Sequence, residues 1–193
     1  VSKIELDSLR LAKKRLEKTE SAIKSLLKNK TINQDGIKIS KKFIPIQSVG
    51  CYIPGGLAKY PSSVIMSVVP AKVAGIKRIV VVSPPNTDGK IDPLTIVAAN
   101  LCGANEIYKT GGVQSIAALS YGTKSILKVD KIVGPGGAFV TTAKYLISNE
   151  TGIDMLAGPT ELGIISDNST NPKLIALDLI SQAEHSSDTL CYL

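Results

Sequence analysis

The sequence predicts an α/β protein in which parallel sheets are flanked by helices. Three features predict it. Short apolar runs such as Ile79-Val80-Val81-Val82 have the length of buried strands, and segments of helical periodicity separate them. Glycine loops stand where strands hand over to helices. Strands buried on both faces and joined by helices imply a parallel sheet, because parallel neighbours need long crossovers and the helices supply them.

In chain order, Ile4, Leu6, Leu9, Leu11, Leu16, Ile23, Leu26 and Leu27 recur among charges and predict a long amphipathic helix. Asn33-Gln34-Asp35-Gly36 predicts a turn, and residues 37–53 an extended segment broken by proline. Ser62 is expected to cap a helix that reaches Ala74 and stops at Gly75, with Pro70 inside it. Asp92-Pro93 predicts a second helix, the carboxylate capping it, the proline filling its first position and Gly103 ending it. Strands over 106–109 and 131–133 bracket a helix over 114–121. A helix over 138–148 follows, then strands over 153–157 and 162–165. Asn171-Pro172 caps a last helix that reaches about His185.

The formal charge of +7 raises the question of a polyanion partner. In the first thirty residues Lys and Arg alternate with Glu5, Asp7, Glu17 and Glu20, which describes the solvated face of a helix better than a nucleic-acid stripe. With no Trp and 4% aromatic residues, a base-stacking surface is not expected. A non-catalytic basic α/β binding module is the alternative class. Cys51, Cys102 and Cys191 are too far apart in sequence for a CxxC motif, and an odd number cannot all pair. The apolar runs are too short to span a bilayer and no signal peptide is evident, so a cytoplasmic protein without a membrane partner is expected. The start at Val1 and the apolar run at 189–193 suggest a chain interrupted mid-fold.

Three loops could carry chemistry: Pro54-Gly55-Gly56, Gly111-Gly112 and Gly134-Pro135-Gly136-Gly137. Each follows a predicted strand and precedes a helix, the position at which doubly wound sheets bind ligands and glycines admit a phosphate to backbone amides. None matches G-x-G-x-x-G, so turn-making glycines are an equal reading. Tyr52 and Gln114 flank two of the loops, where a ring could stack on a ligand and an amide could bond it. A packed Tyr with a satisfied hydroxyl and a capping Gln are the simpler reading of the residues alone. His185 is the only histidine, and Gln182 lies three residues before it on one helix face, so the two could offer nitrogen and oxygen to one ion as part of a site.

Longer motifs add a family resemblance. Gly50-Cys51-Tyr52-Ile53-Pro54-Gly55-Gly56, Tyr60-Pro61-Ser62-Ser63-Val64-Ile65-Met66 and Pro70-Ala71-Lys72-Val73-Ala74-Gly75 resemble histidinol dehydrogenase. So do Gly111-Gly112-Val113-Gln114-Ser115-Ile116, Lys131-Ile132-Val133-Gly134-Pro135-Gly136, Ile153-Asp154-Met155-Leu156-Ala157-Gly158-Pro159-Thr160-Glu161 and Ser181-Gln182-Ala183-Glu184-His185.

The resemblance implies incomplete Rossmann-like sheets of the aldehyde dehydrogenase-like superfamily. It implies residues 1–51 as part of a first lobe, 52–158 as a lobe that contacts NAD, and 159–193 as a return to the first lobe. The implied activity is oxidation of L-histidinol to L-histidine through L-histidinal, with NAD and zinc as cofactors, in a homodimer whose zinc site lies at the subunit interface. Tyr52, Gln114 and Gly137 are then NAD contacts, Thr160, Gln182 and His185 substrate contacts, and Gln182 and His185 zinc ligands. Two positions depart from the family pattern: Gly137 stands where the family usually has Asn, and Thr160 where it usually has Ser. The family's Glu-His acid/base pair and its remaining zinc ligands, an Asp and another His, belong to a later part of the chain. No catalytic residue is therefore assigned within these 193 positions, and they are expected to be inactive alone.

Overall fold

The computed structural model describes residues 1–55, 59–156, 161–184 and 189–193. Contacts divide the chain into one unit of Val1–Leu156 and a second of Ala157–Leu193.

The first unit opens with helix α1 (Lys3–Leu26), started by a reciprocal capping box between Ser2 and Glu5. Leu9 and Leu16 turn into the core, while Arg10 pairs with Asp7 at 3.3 Å and Lys13 with Glu17 at 3.5 Å along the outer face. These pairs set Arg10 and Lys13 beside acidic neighbours on the outer side of the helix. Strands β1 (Lys30–Gln34) and β2 (Ile37–Lys41) form an antiparallel hairpin turned at Asp35 and Gly36, both at positive φ. The extended segment expected over 37–53 is thus two strands in different sheets, β2 and β3 (Ser48–Tyr52), separated at Pro45.

Next come α2 (Pro61–Ala74), β4 (Arg78–Ser83), α3 (Pro93–Cys102), β5 (Glu106–Lys109), α4 (Gly112–Tyr121), β6 (Lys131–Val133), α5 (Ala138–Ile147) and β7 (Gly152–Ile153). Five strands form one parallel sheet in the order β5-β4-β3-β6-β7. The chain builds outward from β3 on one side, then crosses back to lay β6 on its other side. Residue 51, where the sequence suggested a lobe edge, lies inside this central strand. The division of contacts after Leu156 falls beside the other suggested edge.

Alternation along the strands builds two cores. Val49, Cys51, Ile53, Ile79 and Val81 pack with α1, α2 and α3, while Tyr52, Val80, Val82 and Ile132 pack with α4 and α5. Gly50 is the thin point of β3: a Cβ there would lie 2.7 Å from Leu119 Cδ1, so the fully buried Leu119 rests directly on the strand backbone.

Helix starts differ from expectation in two places. Helix α2 begins at Pro61 with Tyr60 as N-cap and without a side-chain cap, so Ser62 lies within the first turn; proline at the first position supplies the pre-set φ that the expected Ser cap was not needed for. Helix α4 begins at Gly112, two residues before the expected start. Helix α3 starts and stops where the sequence placed it, with Asp92 accepting from the Leu94 amide and Gly103 in the left-handed conformation.

Side chains lock the amino ends of the strands. The Asp130 carboxylate accepts from the Ser48 amide at 2.7 Å, joining the starts of β6 and β3, and Asn105 accepts from the Ile79 amide at 2.8 Å. Arg78 donates to Glu106 at 2.6 and 3.1 Å and to the carbonyls of Leu127 and Lys128. In the second unit, β8 (Glu161–Gly163) pairs in parallel with β9 (Leu190–Tyr192), and α6 (Pro172–Ala183) begins at the Asn171 cap. The strand expected over 153–157 overlaps β7 only at Ile153, with residue 157 outside the described residues; that expected over 162–165 is seen as β8, and α6 ends at Ala183. Among the described residues no helix is long and apolar enough to cross a membrane.

Two expected outcomes follow from this packing. The Arg78 guanidinium, helped by the Tyr108 hydroxyl and opposed by partial burial, holds the Glu106 carboxyl below its usual range. That stabilisation is present above the ordinary carboxylate pKa of about 4.3 and is lost as pH falls through the lowered folded value. Glu106→Gln should therefore cost about 1 kcal/mol at pH 7 and flatten the loss of stability below about pH 4. Urea titrations at pH 7 and pH 3.5 check this, and equal stability of variant and parent at both would refute it. Separately, burial first and the Asp154 charge second push the Cys51 thiol up to about 12, and burial pushes Cys102 to about 11. Iodoacetamide at pH 8 should then label the half-buried Cys191 well before Cys51 or Cys102, all three reacting in denaturant, as read by mass spectrometry. Equal native labelling of Cys51 and Cys191 would contradict the packing.

Candidate functional site

Because all five strands of the main sheet run parallel, their carboxyl ends share one edge, and the glycine loops lie along it. At the end of β3 the Ile53 amide still bonds the Val82 carbonyl at 2.9 Å before the chain turns through Pro54 and Gly55. A Cβ on Gly55 would sit 3.2 Å from the Pro84 carbonyl oxygen, and one on Gly111 would sit 2.5 Å from Pro84 Cβ. The turns after β3, β4 and β5 therefore pack against one another. Gly56 lies outside the described residues.

Tyr52 belongs to the core on the α4/α5 side and is 6% exposed. Its hydroxyl reaches the carboxyl edge, where it accepts a hydrogen bond from the Gly112 amide at 3.3 Å. The ring is packed and the hydroxyl satisfied, which is the simpler of the two readings open at the sequence level. Gln114 is exposed on the first turn of α4, its amide group folded back over Gly112 to where a Cβ on that glycine would come 2.9 Å from Oε1. Gly137 is the N-cap of α5, with no atom within 4 Å of the place a Cβ would occupy. The loop leading to it starts at Gly134, which lies against the main chain of Tyr52. Gly134 has φ +113°, and a Cβ on it would fall 2.1 Å from the Tyr52 carbonyl oxygen. Only glycine permits both that φ and that approach. Tyr52 thus links the start of α4, through its hydroxyl on Gly112, with the loop after β6, through its carbonyl against Gly134.

That link lies where the order of the sheet reverses, since β4 and β5 lie to one side of β3 and β6 and β7 to the other. A crevice outside the carboxyl ends at such a reversal is the usual ligand position of open α/β sheets. The helix starts support the same location. The N-caps of α1, α3 and α6 each accept a side-chain bond from their own helix, whereas those of α2, α4 and α5 do not. The last three are the helices that follow the glycine loops. Helix N-termini left without a side-chain cap present amide donors and partial positive charge to an anion.

One pair of residues was not singled out from the sequence. Lys144 of α5 is buried and ion-paired with Asp154, and the pair holds both main-chain polar atoms of Gly134. Its only sequence signal was a lone Asp within the strand expected over 153–157, ten residues beyond a lysine that resembles the many other lysines of the chain.

In the second unit, Gln182 lies partly buried in the last turn of α6. Thr160 and His185 fall outside the described residues, so their expected roles are not described by this geometry. Among the described residues no group of three or more His, Cys, Asp or Glu side chains could hold a metal ion. A single amide oxygen is not a zinc site, and the described donors do not by themselves fit one.

Comparison with known proteins agrees with this architecture. The histidinol dehydrogenase family model matches residues 1–193. The chain is 50% identical over 184 residues to a histidinol dehydrogenase of Gloeobacter violaceus, covering 94% of this chain and 41% of that protein. It is 50% identical over 193 residues to one from Clostridium acetobutylicum, covering 98% of this chain and 44% of the relative. The crystal structure of histidinol dehydrogenase from Elizabethkingia anophelis superimposes with a TM-score of 0.85 at 38% identity, over 99% of this chain and 47% of that one. The chain spans less than half the length of these relatives. A match that runs its whole length, in sequence and in backbone alike, places this chain in the histidinol dehydrogenase family.

Proposed function

We propose that the chain is part of an NAD- and zinc-dependent oxidoreductase that converts L-histidinol to L-histidine through L-histidinal, at the end of histidine biosynthesis. The carrying observation is the row of glycine loops at the carboxyl edge of the sheet, each leading into a helix without a side-chain cap at the reversal of strand order. NAD is the ligand proposed for that edge. The resting places for its charged and polar groups are the amides at the starts of α2, α4 and α5, with Gln114 at the rim and Tyr52 acting through its hydroxyl and its hold on Gly112. Gly137, open where a larger side chain would fill space, leaves the start of α5 accessible.

Bound zinc would hold and orient the substrate, with Gln182 and His185 among its ligands, Thr160 contacting the substrate, and further ligands and the acid/base groups supplied by the remainder of the protein. The protein is proposed to act as a cytoplasmic homodimer, with the zinc site at the subunit interface. Placement in the aldehyde dehydrogenase-like superfamily is supported by the doubly wound strand order, while Cys51 and Cys102, buried with raised pKa values, do not fit the nucleophilic cysteine that aldehyde dehydrogenases use.

The test is histidinol-dependent NADH formation by residues 1–193 and by the full-length protein, with and without zinc. The full-length protein is expected to turn over and the segment to fold without doing so. In the full-length protein Gln182→Ala is expected to weaken zinc retention at least tenfold, since loss of a supporting group around a metal already costs about 10- to 100-fold. A folded, zinc-loaded full-length protein that forms no NADH would overturn the assignment, and zinc content unchanged in the Gln182 variant would remove that ligand.

A further inference from the structure

Lys144 is 2% exposed, and its ammonium group sits among three acceptors: the Gly134 carbonyl at 3.0 Å, the Met155 carbonyl at 3.2 Å and the Asp154 carboxylate. The other oxygen of Asp154 accepts from the Gly134 amide at 2.7 Å. One ion pair thus grips both polar groups of a single peptide residue, the glycine whose φ of +113° presses the loop onto the Tyr52 carbonyl. Burying an ammonium carries a heavy desolvation cost, and its partner Asp154, whose side chain is 30% exposed, offsets that cost only in part because water screens the pair. Stability alone is therefore a poor reason for it.

Position gives a better one. Gly134 begins the loop that reaches the start of α5 at Gly137, and it leans on the strand residue whose hydroxyl holds the Gly112 amide. Two of the three glycine loops are referenced through this contact. Without the pair, the two polar groups of Gly134 lose their partners and the loop loses what selects its left-handed geometry.

We propose that Lys144 and Asp154 are positioning residues that lock the 134–137 loop against β3, and so set the affinity of the carboxyl edge for the dinucleotide while leaving the chemical step alone. The inference rests on the reading that NAD occupies that edge. It is tested in the full-length protein with Lys144→Met, which removes the charge but keeps the stem. The pair variant Lys144→Met/Asp154→Asn serves in case the carboxylate left without its ammonium partner prevents folding. Calorimetric titration with NAD and steady-state kinetics are measured on variants whose circular dichroism matches the parent. Losing charge-assisted bonds to the loop should raise Kd and KM for NAD about tenfold, with kcat at saturating NAD and KM for histidinol within about twofold of the parent. An unchanged Kd for NAD in a folded variant, or a fall in kcat with Kd unchanged, would sink the inference alone. A parent that binds no NAD would remove the functional reading and this inference with it.

Discussion

The organisation of the first unit depends on β3 being buried on both faces and on both edges. It carries β4 on one side and β6 on the other, with helices packed above and below, so every backbone group must be satisfied by a parallel neighbour and every side chain must be apolar or absent. Ser48 meets this demand through Asp130, and Gly50 by yielding its space to Leu119. Parallel pairing in turn sends each connection through a helix and gathers all carboxyl ends at one rim. The same constraint that makes the core therefore brings the loops of the candidate site together.

The two rims of the sheet are built from different materials. At the amino rim, Arg78, Asn105, Glu106 and Asp130 tie strand starts and loops with side-chain hydrogen bonds. At the carboxyl rim the chain packs closely through glycines, and the main side-chain tie is the pair of buried Lys144 and Asp154. The first arrangement holds strands in register. The second leaves the N-cap residues of α2, α4 and α5 without a side-chain cap bond, while the Tyr52 hydroxyl holds the first amide of α4.

Elements bounded by strong local chemistry were legible in the sequence. The strands over 106–109 and 131–133 and the helix between Asp92 and Gly103 lie where composition placed them, because proline, a capping carboxylate and a left-handed glycine act within a few residues. The start of α2 was less legible, because Ser62 resembles a cap while Pro61 had already begun the helix. For the site, the glycine loops could be located and a packed Tyr52 was the simpler reading, but its hydroxyl's partner was not legible, since that depends on which face of β3 meets α4 and α5. The Lys144–Asp154 pair was hidden for a related reason. Nothing in the order of residues marks one lysine among many as the one that the fold encloses.

The packing of Tyr52 also determines what the protein shows to light. There is no tryptophan, and of the six tyrosines Tyr52 alone is buried, while Tyr121, Tyr145 and Tyr192 stand well out in solvent and Tyr60 and Tyr108 are partly covered. A ring held in an asymmetric apolar setting gives a stronger near-ultraviolet dichroism than rings free to turn in water, and within these 193 residues Tyr52 is the ring most fully enclosed, with Tyr108 held next by its hydrogen bonds to Glu106 and the Ser125 carbonyl. The chromophore at the end of the central strand is thus also the one that abuts the candidate site.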